Sequence, residues 1–268
     1  MNDKTITILT NNYNGSKYIN RFFNSLFQQS YKDWILIFYD NFSTDNSIEL
    51  VKKYNDCRIK IIYSTIHFPL GIVRQQALNN CKTDYTAIWD IDDLSDPKRL
   101  ELQLKLLIIN PDICLVSNHV KFQNNNDEIV KEYKTPISHK KIKNKCIWSN
   151  PLVHSSVMFK TNVIKNIGGY DINYNYSQDY NLYIRLILDN QIFATIDKYL
   201  TIQNFSDQTL SSKKEMKIII YKDQIKNLRE AFKIKNINPI FKLLNIFSQT
   251  VYIYKIYIHN LNMKLKKN

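Results

Sequence analysis

The sequence predicts an α/β protein: a mostly parallel sheet flanked by helices, followed by a C-terminal helical extension. Three observations carry this prediction. Through the first half of the chain, short apolar runs alternate with amphipathic segments of about ten residues, the pattern of βαβ units. Three of those runs end in polar clusters, at residues 11–14, 40–43 and 90–93. Such clusters sit where parallel sheets bind ligands, outside the carboxyl ends of the strands. From Lys213 onward the chain reads as helical and basic.

Each element has its own justification. Residues 5–10 (TITILT) form a β-branched run and read as the first strand. Over residues 18–29, Ile19, Phe22, Phe23, Leu26 and Phe27 recur at helical spacing. Residues 34–39 (WILIFY) are apolar throughout, as a strand buried on both faces would be. Residues 43–54 read as a helix opened by Ser43 or Thr44, with Asp45 in its first turn. A third strand over 58–64 and a helix over 72–81 follow. The fourth strand, 85–89 (YTAIW), exits into carboxylates. Pro97 suits the first turn of a helix carrying Leu100, Leu104 and Leu107, and 113–117 is a fifth strand.

Beyond that point the pattern loosens. The turn signal at 124–127 (NNND) separates strands over 116–123 and 128–133. A strand is expected over 153–160 and a helix over 179–188, with Leu182 and Leu186 inward. The chain divides into a unit over 1–212 and a basic helical extension over 213–268.

Composition narrows the function. Four glycines, Gly15, Gly71, Gly168 and Gly169, cannot write a dinucleotide fingerprint or a P-loop. The four cysteines show no C-x-x-C spacing, which argues against a zinc ribbon and for buried thiols in a reducing cytosol. The amino terminus lacks a signal-peptide apolar region, and no run of 18 apolar residues occurs. The expected location is therefore cytoplasmic. The net charge of +13 calls for an anionic partner. Nucleic acid would answer the charge, but the carboxylates of 90–93 would repel phosphate unless a cation stands between.

Four features carry chemistry. Asp90-Ile91-Asp92-Asp93 brings three carboxylates to one strand end. Alone it fits a solvated turn almost as well as a site for a hard cation that keeps substrate phosphates as further ligands. Asp40-Asn41-Phe42-Ser43 leaves Asp40 at a strand tip with no structural duty, free for a base or a ribose hydroxyl. Asp179 either caps a helix or acts as a general base. His154 reads more readily as a structural histidine than as a catalyst. Besides a transferase, a nucleotidyltransferase or a nucleotide-sugar-binding protein would fit these features.

The order of these features resembles glycosyltransferase family 2, over residues 5–212. Asn12-Tyr13-Asn14-Gly15 is similar to T-Y-N-G, and Tyr39–Asp45 (YDNFSTD) to V-D-D-G-S-T-D. Arg74 stands at the Arg of A-R-N, and residues 90–93 match D-x-D-D. Residues 97–100 match P-x-R-L, residues 154–159 match H-x-x-V-M-F, residues 168–171 match G-G-Y-D, and residues 178–180 match E-D-Y with Gln178 for Glu.

The resemblance implies a Rossmann-like GT-A fold and an inverting, metal-dependent transfer from a nucleotide-diphosphate sugar, a UDP-sugar. The acceptor would be a glycan or lipid-linked oligosaccharide of bacterial surface polysaccharide synthesis, with no nucleic acid as partner. Tyr13 would lie against the base with Asn11 nearby, and Asp40 would bind the uridine. Arg74, Asp90 and Ile91 would contact the nucleotide. Asp92 and Asp93 would hold Mn2+ or Mg2+, His154 would lie on the acceptor side, and Asp179 would be the base. Asn41 departs from the second Asp of the family pair, although its amide can still pair with a base edge. Phe42 replaces a glycine.

The tail carries one further expectation. Ile240, Leu243, Leu244, Phe247, Val251, Tyr254, Ile258, Leu261 and Leu265 recur in steps of three and four. Lys242, Lys255, Lys264, Lys266 and Lys267 accompany them. The stripe fits a helix packed on the domain or on a second subunit. It also fits a peripheral helix on the inner face of the cytoplasmic membrane.

Overall fold

The computed structural model describes residues 4–205 and 216–265, the side chains of 260–265 excepted. The boundary drawn at 212/213 lies outside the described residues, as do the side chains of Leu261, Lys264, Leu265, Lys266 and Lys267.

Strands β1 (Ile6–Asn12), β2 (Trp34–Asp40), β3 (Ile59–Tyr63) and β4 (Tyr85–Ile88) alternate with helices α1 (Ser16–Phe27), α2 (Ser47–Lys52) and α3 (Leu70–Asn79). The two-residue β5 (Leu94–Ser95) leads into α4 (Arg99–Ile109), then β6 (Ile113–Gln123), β7 (Ile129–Tyr133) and α5 (His139–Cys146). The chain continues through β8 (Met158–Lys160), α6 (Thr161–Asn166), α7 (Gln178–Leu188) and β9 (Ile192–Asn204). It closes with α8 (Lys217–Ala231) and α9 (Pro239–Leu265).

All strands join one sheet in the order β3-β2-β1-β4-β8-β6-β9-β5, with β7 beside β6. β1, β2, β3 and β4 are mutually parallel, and β6 and β9 are parallel to each other. β8 runs against both β4 and β6, so it is a single reversed strand between two groups that run the same way. The expected mostly parallel sheet is thus observed, with antiparallel insertions.

Apolar side chains alternate between the two faces of each strand, as the pleat requires. Leu9, Ile37, Tyr39 and Ile88 pack under α3 and α7 in one core. Ile8, Leu36, Phe38 and Trp89 pack under α1 and α4 in the other. Leu228 and Ala231 of α8 are fully buried in the first of these cores, so α8 is built into the body of the protein. Among the described residues no helix is long and apolar enough to cross a membrane.

Three sequence expectations are corrected here. The segments 113–117 and 116–123 are one eleven-residue strand, β6. Only Met158–Lys160 of the segment 153–160 is strand, because His154–Ser156 forms a single 3-10 turn. In that turn the Ser156 hydroxyl and backbone N–H both donate to Val153 O, which draws the chain out of the ladder. The helix expected from Ser43 begins at Ser47, since Ser43 is engaged elsewhere.

Candidate active site

The parallel arrangement delivers the exits of β1, β2 and β4 to one edge of the sheet. There the β1 and β2 exits are laced together. Asp40, 3% exposed, accepts from Asn12 Nδ2 at 2.8 Å and from the Ser43 hydroxyl at 2.6 Å through Oδ1. Its Oδ2 accepts from Ser43 N at 2.9 Å. Ser43 also receives Asn14 N, and Asn14 Oδ1 receives Thr44 N at 2.8 Å. A Cβ on Gly15 would stand 2.3 Å from Asn12 Oδ1, so a larger residue there would have to displace the amide that holds Asp40. The expectation that Asp40 has no structural duty is corrected: its carboxylate organises both loops.

Asn41 is equally committed. Its Oδ1 accepts from Phe68 N and its Nδ2 donates to Phe68 O, both at 2.9 Å, so the amide pins the loop after β3 rather than reaching outward. Phe42, held between Asn41 and Ser43, takes φ of +66° with 49% of its surface exposed. A large side chain in the left-handed region is strained, which accounts for the glycine the resemblance leads one to expect. Tyr13, half exposed, lies against the exposed His67 ring at 4.1 Å between centroids. Asn11 keeps both its amide oxygen and nitrogen buried with no partner among the described residues. Such a pair is costly unless a ligand completes it.

The acidic loop wraps two large groups. Trp89 Nε1 donates to Asp93 O at 3.0 Å. Fully buried Arg99 donates to Ile88 O at 2.7 Å, to the Ser95 hydroxyl at 2.9 Å and to Gln103 Oε1 at 3.2 Å. Burial pulls this guanidinium down to about 9, against the opposing pull of Asp93 and Asp90. Gln103 continues the buried network to Ser156 O and Asn118, and Asn118 to Thr201 of β9.

Asp90 and Asp92 remain partly exposed on this support. Burial and then the neighbouring Asp90 charge push the Asp92 carboxyl up to about 6. Asp93, expected beside Asp92 on the metal, is instead 1% exposed, and its Oδ1 accepts from Asn204 N at 2.9 Å. Burial, then Asp92 and Asp90, hold it well above the usual carboxylate range. Ile91 turns its side chain into the core, so only its backbone is left for a nucleotide. Among the described residues no three His, Cys, Asp or Glu side chains form a metal cluster. Two mutually repelling carboxylates, Asp90 and Asp92, do fit a hard cation whose remaining ligands are water and phosphate.

Across the floor from Asp90 stands the start of α7. Buried Arg74 brings Nη2 to 3.7 Å from Asp90 Oδ1. Burial raises the Asp179 carboxyl, and the Arg74 charge draws it back. Asn150 Nδ2 donates to Asp179 Oδ2 at 2.9 Å and fixes its orientation. His154, expected on the acceptor side, is only 6% exposed: its Nδ1 meets the Tyr183 hydroxyl at 2.7 Å and its Nε2 the Tyr170 hydroxyl at 2.9 Å. Burial, then the Arg74 charge, hold its imidazole well below the usual range. It is a neutral structural histidine under the floor.

The structure therefore brings Asn11, Tyr13, Asp40, Arg74, Asp90, Asp92 and Asp179 to one edge, and turns Asp93 and His154 inward. Sequence reasoning missed the parts played by Arg99, Asn150 and Asn12. Arg99 lies within the P-x-R-L segment, and a basic residue closely following an acidic cluster was the available signal. Nothing in the sequence around Asn150 pairs it with Asp179.

Residues 7–168 match Glycosyl transferase family 2. The chain belongs to that family. An uncharacterized glycosyltransferase of Methanocaldococcus jannaschii is 31% identical over 97% of this chain and 88% of its own length. The UDP-Glc:alpha-D-GlcNAc-diphosphoundecaprenol beta-1,3-glucosyltransferase WfgD of Escherichia coli is 25% identical over 72% of this chain and 74% of its own. The mannosyltransferase PcManGT of Pyrobaculum calidifontis, solved with GDP-Man and Mn2+, shares the fold with a TM-score of 0.67 at 14% identity. That match covers 93% of this chain and 73% of the other. This family 2 glycosyltransferase thus has the GT-A architecture that its motifs implied.

Proposed function

We propose that this enzyme transfers a sugar from a UDP-sugar to a hydroxyl of a glycan or lipid-linked oligosaccharide, with inversion, in surface polysaccharide synthesis. The observation that carries this reading is the placement of Arg74 between Asp90 on the donor side and Asp179 opposite. WfgD, named as a glucosyltransferase from UDP-Glc to a diphosphoundecaprenol-linked GlcNAc, supports the choice of donor and acceptor class. A lipid-borne acceptor would set the reaction at the cytoplasmic face of a membrane.

The chain's residues then divide the work. Tyr13 offers a ring to the base, and the unpaired Asn11 amide offers a donor and an acceptor to the nucleoside. Asp90 and Asp92 would hold Mn2+ or Mg2+, and such a cation supplies charge neutralisation for the departing nucleoside diphosphate. Asp179 accepts the acceptor hydroxyl proton as that oxygen bonds to the anomeric carbon. The anomeric carbon–phosphate oxygen bond breaks with its electron pair on the diphosphate. Attack from the opposite face inverts the centre, and no second carboxylate is needed as a covalent nucleophile.

A panel of UDP- and GDP-sugars, read by release of the nucleoside diphosphate with a lipid-linked glycan acceptor, tests the reading. UDP release that needs acceptor and divalent cation, and stops in EDTA, is the expected result. Release from GDP-sugars alone, or undiminished turnover in EDTA, would overturn the donor or the metal assignment respectively.

A further inference from the structure

Helix α9 packs Phe241, Asn245 and Tyr252 against the body of the protein and leaves a broad apolar side facing out. Asn245 is fully buried, and its amide donates to Leu228 O at 2.7 Å and to Ile147 O. Gln249 follows one turn later and donates to Asn245 Oδ1. The opposite side carries Leu243 and Phe247, each 65% exposed, and Tyr254 and Tyr257, each 62% exposed. Ile246 and Ile253 are at least half exposed beside them. At about 100° per residue these side chains form one continuous arc in which Thr250 is the sole polar residue. Lys242 and Lys255 fall at its two borders, with Lys242 Nζ over the Phe232 ring at 4.8 Å and Lys255 Nζ over the Tyr221 and Tyr252 rings at 5.5 and 5.2 Å; long lysine stems can swing such ammonium groups to a neighbouring polar layer. The stripe, which the sequence left open between a packing face and a membrane face, looks outward over its described part.

We infer that α9 lies in the plane of an anionic lipid surface, with this arc buried among the acyl chains and its lysines at the headgroups. Charge decides the occupant. No Asp or Glu occurs between Pro239 and Asn268, and residues 213–268 hold thirteen Lys and Arg against three Asp and Glu, +10 of the chain's +13. A second copy would oppose basic face to basic face with no carboxylate to answer it, whereas anionic headgroups complement it. The helix is not apolar enough to span, as an interfacial helix should not be. The inference is independent of which sugar or acceptor the active site takes.

Flotation of the full chain with phosphatidylcholine vesicles, with and without phosphatidylglycerol, tests it without any donor. The chain is expected to float with the anionic vesicles only, and less at high salt. Leu243→Ser, Phe247→Ser and Tyr254→Ser together should weaken partitioning by about tenfold or more, with the circular-dichroism melting curve and the turnover of a soluble acceptor unchanged. Should the triple variant fail to fold, Lys242→Gln with Lys255→Gln is expected to reduce flotation on the anionic vesicles. No flotation, equal flotation with neutral vesicles, or flotation untouched by the variants overturns the inference. So does a dimer in light scattering that the triple variant converts to monomer while neither protein binds vesicles.

Discussion

Arg74 of α3 and Asp90 at the exit of β4 meet at 3.7 Å on the cleft floor, and the same guanidinium acts on Asp179 from the other side. One buried cation therefore couples the carboxylate at the β4 exit to the carboxylate at the start of α7. Its Nε has no partner among the described residues, which leaves donor capacity for a bound anion.

Replacing that cation should change the pH profile as well as the rate. Arg74 favours the charged form of Asp179, against burial. In Arg74→Met the Asp179 carboxyl rises further, so the base stays protonated to higher pH. The acidic limb of the pH–kcat profile should move upward in pH, and the donor KM should rise about tenfold or more. An unmoved limb would separate Arg74 from Asp179.

Asp179→Asn keeps the size of the side chain and removes its basicity. Turnover should fall by roughly 10²–10⁴, while calorimetric donor affinity stays near that of the parent. Lost donor affinity with retained turnover would make Asp179 a binding residue.

Arg99→Met should destabilise the protein by about 3–5 kcal/mol in urea unfolding. The change leaves Ile88 O, the Ser95 hydroxyl and Gln103 Oε1 without their donor and removes the cation beneath Asp93. Arg99→Lys should not restore the loss, because one ammonium cannot reproduce a planar fork bonded through Nε, Nη1 and Nη2. Full rescue by lysine would show that charge alone matters at this position.

His154 adds a pH dependence to stability. Its folded value lies well below the ordinary 6.5, so below about pH 6.5 the unfolded chain binds a proton that the folded one cannot. Its contribution is intact above that pH and is lost as pH falls, with a slope approaching about 1.4 kcal/mol per pH unit. Thermal midpoints from pH 7.5 to 5, compared with His154→Gln, should show the variant with the shallower decline.

Much of this was legible in the sequence where chemistry and period agree. Strands such as β2 are apolar on both faces, and the motifs fall at their exits. Legibility failed where one residue type serves two purposes. The Asn41 amide can read a base edge or hold a backbone, and only the position of Phe68 decides. Asp93 and Asp92 are adjacent and chemically identical, yet Asn204, 111 residues away from Asp93, draws one of them inward. β9 escaped notice because its pairing with β6 is broken by register shifts around His119, which disturb the alternation along the strands. The α9 stripe carries the right period, but period alone does not say whether the apolar side meets the protein or the surroundings.

The late arrival of the reversed strand β8 bears on how the chain emerges from the ribosome. β3, β2, β1 and β4 lie in sequence within the first 88 residues and can pair as soon as they are made. The far edge of β4 then has no neighbour until Met158 and Phe159 arrive opposite Ala87 and Thr86. At about 5–20 residues per second that interval lasts roughly 3–14 s. An open strand edge for that long invites pairing between nascent chains on one message. Truncated chains stalled shortly before residue 158 should therefore aggregate or recruit chaperones, whereas chains stalled beyond β9 should resist protease, and ribosome-bound proteolysis of the two lengths would show the difference.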